Sequence, residues 1–151
     1  MFRLNRLTDY AVVLLTQMAA RPDEMRSAQA VAEQGGLPLP TVAKLLNALA
    51  REGIVASHRG AAGGYTLGRP AATISVADIV QALEGPIALT ACVEGSSEPC
   101  QVETLCPMAG NWNKVNQAIR EALASVSLAE MASSPGLPRP SLDETMRQVA
   151  G

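Results

Sequence analysis

A glycine-punctuated stretch over 27–67 constrains the fold more than any other part of the chain. Ser27 is placed to cap a short helix, which the Gly-Gly pair at 35–36 ends. A second helix follows, with Pro40 in its first turn and Gly53 just beyond its end, the preferred positions for these residues. Two helices joined by a tight turn, the second apolar on one face and polar on the other, are typical of a helix-turn-helix.

The residues after this helix pair predict a small β-hairpin. Strand-forming residues occupy 54–58 and 65–67, and glycines are concentrated in the turn at 60–64. A hairpin directly after a helix-turn-helix is the order of a winged helix. The expected fold class is therefore mainly α, with a winged helix-turn-helix over 1–85 and a small β-hairpin as its wing.

Two further helices complete the predicted core. The first spans about 4–20, with apolar residues at helical spacing on one face and Asp9 on the opposite side. Ser75 and Asp78 form the pattern of a capping box for a helix over 76–84. With 151 residues, 48% of them hydrophobic and only 17% charged, the chain can bury one such core.

A narrow apolar seam marks the C-terminal third. We expect a long helix over 107–132, because apolar residues there are spaced alternately by four and three, as in a coiled coil. The helix of a second copy is the expected partner of this seam, which predicts a homodimer. Residues 133–151 predict a Pro-rich linker and tail. The predicted dimer-interface residues are Met108, Trp112, Val115, Ile119, Ala122 and Val126.

Charge is divided unevenly along the chain. The net charge is -2, yet residues 1–70 carry eight Lys/Arg against five Asp/Glu, and residues 71–151 carry four against nine. Only the first half suits a polyanion, so the outer face of the second helix and the wing are expected to contact double-stranded operator DNA. A solvated helix face beside an ordinary hairpin is the alternative. The predicted DNA-binding residues are Thr41, Lys44, Arg51, His58, Arg59 and Tyr65.

Several classes of protein are not expected. No apolar run approaches the roughly 20 residues of a membrane span, and Asp9 interrupts the N-terminal stretch that would otherwise resemble a signal peptide. We therefore expect a cytoplasmic protein. An enzyme with a small-molecule substrate is not expected either, because a cysteine nucleophile needs a nearby base and the one histidine, His58, lies in the wing.

All three cysteines fall in one loop, predicted over 86–106. Three glutamates and no Lys or Arg accompany Cys92, Cys100 and Cys106 between 92 and 106, and negative neighbours disfavour thiolates unless a cation compensates. The spacing C-x7-C-x5-C lacks the C-x2-C pairs common in structural zinc sites, whereas iron-sulfur clusters tolerate longer loops and prefer thiolate. An iron-sulfur cluster is the favoured interpretation. A metal-free thiol sensor, a zinc site and incidental cysteines are the alternatives.

Several stretches of the chain resemble the Rrf-two (Rrf2) family of winged-helix regulators, which includes IscR, NsrR and RirA and regulators of the SUF cluster-assembly operon. They are RLTDYAVVLL, LPLPTVAKLLNALAREGIV, RGAAGGYTL, ISVADIVQALEGPI and the three cysteines, and they cover residues 2 to about 132. The resemblance implies a homodimeric transcriptional repressor that binds an operator. It also implies a 2Fe-2S or 4Fe-4S cluster on the three cysteines that senses iron or cluster status. Nitric-oxide or redox sensing, or metal-free thiol sensing, is the alternative.

Two departures from the family pattern bear on this resemblance. The wing has Ala61 and Ala62 where members often have Pro-Gly, and Ala109 stands where the IscR branch supplies a histidine ligand. The nitric-oxide-sensing branch instead uses an aspartate of the first helix, donated by the other subunit, at the position of Asp9. The resemblance therefore implies Asp9 of the other subunit as a further ligand. An aspartate that is merely exposed or that pairs with a helix cap is the alternative.

Overall fold

The computed structural model describes residues 3–96, 99–100, 106–108 and 110–133, which form six α-helices and one two-stranded antiparallel sheet. The mainly α winged helix-turn-helix predicted from the sequence is confirmed. No helix in these ranges is both long and apolar enough to cross a bilayer. In chain order the elements are α1 (Arg6–Ala19), α2 (Ala28–Gly35), α3 (Leu39–Arg51), β1 (Val55–His58), β2 (Gly64–Leu67), α4 (Val76–Glu84), α5 (Asn111–Ala124) and α6 (Leu128–Ser133).

The core of the winged-helix unit lies where the apolar faces of α1 to α4 meet. The predicted stripe on α1 points into it, whereas Asp9 and Val13 lie exposed on the other side of that helix. Burying one aliphatic side chain of this size stabilises a fold by about 1.5–3 kcal/mol, so this cluster supplies the main driving force. The buried members are Ala11, Leu14, Leu15, Met18, Val31, Ala32, Val42, Leu45, Leu46, Leu49, Ile54, Val55, Ile74, Ile79 and Leu128.

The predicted helix ends are confirmed by their hydrogen bonds. Ser27 Oγ accepts from the backbone N–H of Ala30 at the start of α2, and Gly36 ends that helix in the left-handed region, with φ of +65°, which favours glycine. At the start of α4, Ser75 and Asp78 form a capping box, each side chain accepting from the other residue's backbone N–H. These caps fix where the helices around the core begin and end.

The single helix expected over 107–132 is absent from the described residues, which contain two helices in this range. Gly110 has φ of +81°, so α5 begins just after it, and the helix ends 14 residues later. Ser127 then starts α6, its Oγ accepting from the backbone N–H of Glu130 at 3.2 Å. The apolar periodicity did not reveal this break, because the seam ends at Val126 and its regular spacing up to that residue does not report whether the helix continues.

The break returns the chain to the winged-helix unit. The backbone N–H of Val76 donates to the carbonyl oxygen of Val126 at 2.9 Å, and that of Leu128 donates to the carbonyl oxygen of Ile74 at 2.7 Å. Leu128 is completely buried in the core, a contact that the sequence did not predict. Residues 126–128 therefore connect the end of α5 directly to the start of α4. Of the predicted tail over 133–151, all but Ser133 lies outside the described residues.

Candidate nucleic-acid interface and cysteine loop

Helix α3 turns one face into the core and leaves the other open. On the open face Lys44 and Arg51 are exposed and Thr41 is half-buried, and their spacing places all three on one side of the helix. The major groove of B-DNA, about 12 Å wide, admits an α-helix whose polar side chains reach base edges and phosphates. The structure thus brings three of the predicted residues together on a surface that can enter this groove. The core-facing residues are Val42, Leu45, Leu46 and Leu49.

The hairpin β1–β2 forms a wing beside α3. Its exposed tip carries His58 and Arg59, and His58 Nε2 lies 3.0 Å from Thr66 Oγ1 on the opposite strand. Gly60 has φ of +114°, and a Cβ added to Gly63 would meet the carbonyl oxygen of His58. The glycines therefore keep the turn narrow, which allows a basic tip to approach a DNA backbone or a minor groove.

A segment just before α2 holds the base of the wing. The backbones of Arg26 and Tyr65 exchange two hydrogen bonds, of 3.0 and 2.8 Å. The buried guanidinium of Arg26 donates to Gln34 Oε1 at 2.7 Å and pairs with Glu24 Oε2 at 2.9 Å. The hydrogen bond from Arg26 lowers the pKa of Glu24. A Cβ on Gly64 would lie 2.6 Å from the Arg26 carbonyl oxygen, so only glycine allows this close approach.

Tyr65 also links the wing to α3. It is half-buried and packs against the core, and its hydroxyl donates to Asn47 Oδ1 on the outer face of α3 at 3.4 Å. The sequence assigned Tyr65 to DNA contact and did not single out Asn47. In the structure the pair connects the two elements that carry the candidate DNA contacts.

The loop between α4 and α5 carries the cysteines. Cys92, Cys100 and Cys106 are half-buried and free of disulfides, and Cys92 Sγ lies 3.2 Å from Thr90 Oγ1. Three free thiols on one loop are a donor set suited to an iron-sulfur cluster. Within the described part of the chain, no group of three or more His, Cys, Asp or Glu is arranged to hold a metal ion. The donor chemistry therefore fits the cluster, while a preformed site is not displayed by those residues.

Two asparagines of α5 hold the first half of this loop. Asn116, only 3% exposed, donates through Nδ2 to the carbonyl oxygen of Ile87 and accepts through Oδ1 from the N–H of Leu89, both at 3.0 Å. Asn113 Oδ1 accepts from the N–H of Glu94 at 3.0 Å. Neither residue was predicted from the sequence. The sequence did contain one indication, because Asn116 is a polar residue three positions before Ile119 on the apolar side of the helix.

Asp9 lies near the start of α1, which is tied to the end of α4. Glu84 accepts hydrogen bonds from the backbone N–H of Asn5, at 3.0 Å, and from the hydroxyl of Thr8. Asp9 itself is exposed on the face of α1 turned away from the core, where Val13 is also 42% exposed. This position leaves its carboxylate accessible to a second molecule.

The predicted seam on α5 divides into two parts. Ile119 and Val126 are half-buried and pack against a second apolar cluster of the same chain. Trp112 and Val115 are 40% and 46% exposed, and Met108 and Ala122 are exposed as well. Only the exposed part is open to a second subunit. The second cluster consists of Val76, Ala77, Val80 and Ile87.

A helix-turn-helix with a basic outer face, joined to a braced hairpin with a basic tip, defines a winged-helix DNA-binding regulator of transcription. Residues 4–134 match the family model described as "Rrf2: Iron-dependent Transcriptional regulator". The chain therefore belongs to the Rrf2 family, which confirms the resemblance seen in the sequence. Its activity is the regulation of transcription and not catalysis.

Solved structures are similar over nearly the whole chain. CymR (YrzC), the global cysteine regulator of B. subtilis, is 27% identical with a TM-score of 0.70, covering 90% of this chain and 100% of that one. IscR of T. potens is 27% identical with a TM-score of 0.65, covering 94% and 96%. CymR of Staphylococcus aureus in an oxidized form is 25% identical with a TM-score of 0.65, covering 90% and 100%.

Proposed function

We propose that this regulator is a cytoplasmic repressor that binds operator DNA as a homodimer and senses iron or iron-sulfur cluster status through Cys92, Cys100 and Cys106. The observation that carries the proposal is the presence of three free, half-buried thiols on a single loop directly after the winged helix. The description of the matching family model, an iron-dependent regulator, supports it.

The proposed DNA contacts divide between α3 and the wing. Thr41, Lys44 and Arg51 would face the major groove, because they share the exposed side of α3. His58 and Arg59 would contact phosphates or the minor groove from the tip of the wing. In a homodimer the two winged helices would address half-sites about 34 Å apart, one turn of DNA.

The proposed dimer contact uses the exposed part of α5. Trp112 and Val115 present an apolar surface that a second copy of the same helix would cover. Asp9 would then be able to reach the partner's cysteine loop, as the family resemblance implies. Sedimentation of a monomer at micromolar concentration would contradict this arrangement.

The three cysteines would be the thiolate ligands of the cluster, with Asp9 of the partner subunit as a further ligand. A bound iron-sulfur cluster supplies thiolate-ligated iron that responds to iron supply and to oxidants. Ligation would draw the three cysteine residues together and so fix their positions relative to one another. An allosteric coupling of about 1–3 kcal/mol, which is typical, would change operator affinity about 5- to 150-fold.

Purification without oxygen tests the proposal. The expected result is a coloured protein that contains iron and acid-labile sulfide and whose DNA affinity changes when both are removed. Cys106→Ala should abolish the colour while retaining helical content by circular dichroism. Glu94→Gln, at an exposed position of the same loop, is the matched control and should retain the colour. Protein that contains neither iron nor sulfide, and cannot be reconstituted with them, would exclude the cluster.

A second candidate is a metal-free thiol sensor on the same fold. The similarity to a global cysteine regulator, and to a CymR structure in an oxidized form, favours it. Diamide oxidises two thiols to a disulfide and is itself reduced to the hydrazine, so it tests this candidate directly. A change in the DNA affinity of iron-free protein upon diamide treatment, together with no effect of iron and sulfide, would select thiol sensing.

A further inference from the structure

The side chain of Asn116 uses both ends of its amide on one short stretch of the cysteine loop. Its Nδ2 donates to the carbonyl oxygen of Ile87 and its Oδ1 accepts from the N–H of Leu89. This pairing gives hydrogen-bond partners to an N–H and a carbonyl group beside the buried Ile87 side chain. The asparagine thus replaces, for this stretch, the backbone pairing that a strand would provide.

A buried amide at this position needs a specific reason. Asn116 lies on the side of α5 that also carries Ile119 and Leu123, and both of these pack against the second apolar cluster. Leucine there would extend the apolar stripe, whereas asparagine is tolerated only while its polar atoms remain hydrogen-bonded. Burial of Asn116 is therefore favourable only while the loop packs on α5, so the packing around Asn116 depends on the position of the loop.

The two asparagines hold the chain on both sides of Cys92. Asn116 holds Leu89, three residues before the cysteine, and Asn113 holds Glu94, two residues after it. Between these points Val93 is buried, and Thr90 contacts the Cys92 sulfur. A displacement of Cys92 therefore strains or breaks the hydrogen bonds between the loop backbone and the two asparagines of α5.

Helix α5 passes such a displacement on to the DNA-binding unit. Its second half packs on the apolar face of α4 through Ile119 and Leu123. Just beyond its end, Val126 accepts a hydrogen bond from the N–H of Val76, the first residue of α4. One helix thus contacts the sensing loop at one end and the winged-helix unit at the other.

We propose that Asn116 is the positioning residue that transmits the state of the cysteine loop to α5 and through it to DNA binding. This inference rests on the proposed function, in which the state of the cysteines controls operator affinity. It goes beyond that function by naming the side chain on which the coupling depends.

The experiment uses the full chain with three substitutions. Asn116→Leu removes both loop bonds while keeping the number of side-chain heavy atoms and the branch at Cγ, although leucine is the larger residue. Asn113→Ala removes the hydrogen bond to Glu94 at the half-buried neighbouring site. Gln117→Ala is the matched control, because Gln117 is exposed on the same helix and its side-chain amide donates to Glu121 of that helix. Binding to duplex DNA selected by the wild-type protein from a random library is measured for reduced iron-free protein, for protein reconstituted with Fe²⁺ and sulfide, and for diamide-treated protein.

The first readout is the ratio of DNA affinities between cysteine states. We expect the wild type and Gln117→Ala to show the same ratio, within the range of about 5- to 150-fold, and Asn116→Leu to show a ratio near one. If Asn116→Leu does not fold, Asn113→Ala replaces it in the test, and we expect its ratio of DNA affinities to be several-fold lower than that of the wild type. If the wild type responds and the folded variants Asn116→Leu and Asn113→Ala show the same ratio of DNA affinities as the wild type, the inference is overturned and the proposed function stays intact. A wild type without any response would overturn the proposed function and the coupling together.

The second readout does not depend on iron. In reduced, iron-free protein, Cys92 should react with N-ethylmaleimide about tenfold faster in Asn116→Leu than in the wild type, because losing a buried hydrogen bond raises local opening by roughly this factor. Cys106 is the internal control for global unfolding, and its rate should stay constant. An unchanged Cys92 rate would show that Asn116 does not hold the loop, whatever the cysteines sense.

Discussion

Replacement of Leu128 by alanine tests whether the C-terminal segment is part of the winged-helix core. Leu128 is completely buried, packed with Ile74 and other core residues, although it lies more than 40 residues beyond the end of α4. Truncation of a fully buried leucine costs about 2–5 kcal/mol, because apolar contacts are lost and a cavity remains. We expect a loss of about 3 kcal/mol, a large share of the about 5–15 kcal/mol that stabilises a typical domain.

The assay is urea denaturation of the full chain, followed by circular dichroism at 222 nm at one fixed protein concentration. The concentration is fixed because dimerisation would make the stability depend on it. A loss of this size should also lower the melting temperature by roughly 10 °C for a chain of this length. Met131→Ala is the matched control, since Met131 lies on the same helix, α6, and is 41% exposed. Surface changes of that kind stay within about 0.5 kcal/mol.

The comparison between the two variants decides the question. If Leu128→Ala destabilised the protein no more than Met131→Ala, the packing of α6 into the core would be wrong. The connection from α5 to α4 over 126–128 would then lose its support as well.

Three further predictions concern the wing, the recognition helix and the start of α4. Lys44→Ala should weaken DNA binding and reduce the slope of log K against log salt by about one, as measured by fluorescence anisotropy. Gly64→Ala should lower DNA affinity about tenfold or more, because the added Cβ would lie 2.6 Å from the Arg26 carbonyl oxygen and displace the wing. Asp78→Asn should flatten the pH dependence of stability. Burial raises the pKa of Asp78, but the hydrogen bonds from Ser75 together with the charge and hydrogen bond of Arg69 outweigh it, so the pKa is lowered. The wild type therefore has stability at neutral pH that it loses as the pH falls below about 4 through that lowered pKa.

Each of these predictions has its own contrary outcome. Ala62→Ser, exposed in the wing turn, is the control for the wing, and equal DNA affinity of Gly64→Ala and this control would refute the close-contact argument. An unchanged salt slope in Lys44→Ala would mean that this lysine contacts no phosphate. Urea denaturation between pH 7 and pH 3 measures the effect of Asp78, and an equally steep profile in Asp78→Asn would assign the acid sensitivity to other groups.

Features that depend on a few neighbouring residues could be predicted from the sequence. The cap at Ser27 and the capping box of Ser75 with Asp78 are local hydrogen-bond patterns, so residue type and spacing were enough. The wing followed in the same way, from a glycine-rich turn between two short strand-forming segments. The order of these elements then indicated the fold class.

Contacts between distant segments could not be predicted. Arg26 carries no local signal that it would pair with Tyr65, which lies 39 positions further along the chain. The break before α6 escaped because apolar spacing reports a helical face and not whether the helix is continuous across that face. Leu128 could equally have faced a partner subunit or the core of its own chain. Asn116 was missed for a similar reason, since a polar residue on an apolar stripe is interpretable only once its partners are known.

The two backbone hydrogen bonds between Arg26 and Tyr65 have a consequence for how DNA binding can be controlled. The hairpin is hydrogen-bonded to the chain preceding α2, and the hydroxyl of Tyr65 also donates to Asn47. The hairpin and α3 therefore form one rigid DNA-binding unit. A change at the cysteine loop therefore has little scope to alter the shape of a single DNA-binding unit. In the proposed homodimer, a signal would instead alter the distance or angle between the two DNA-binding units. Natural variation that tunes sensitivity should then accumulate in the segments around α5 and leave the DNA-binding surface unaltered.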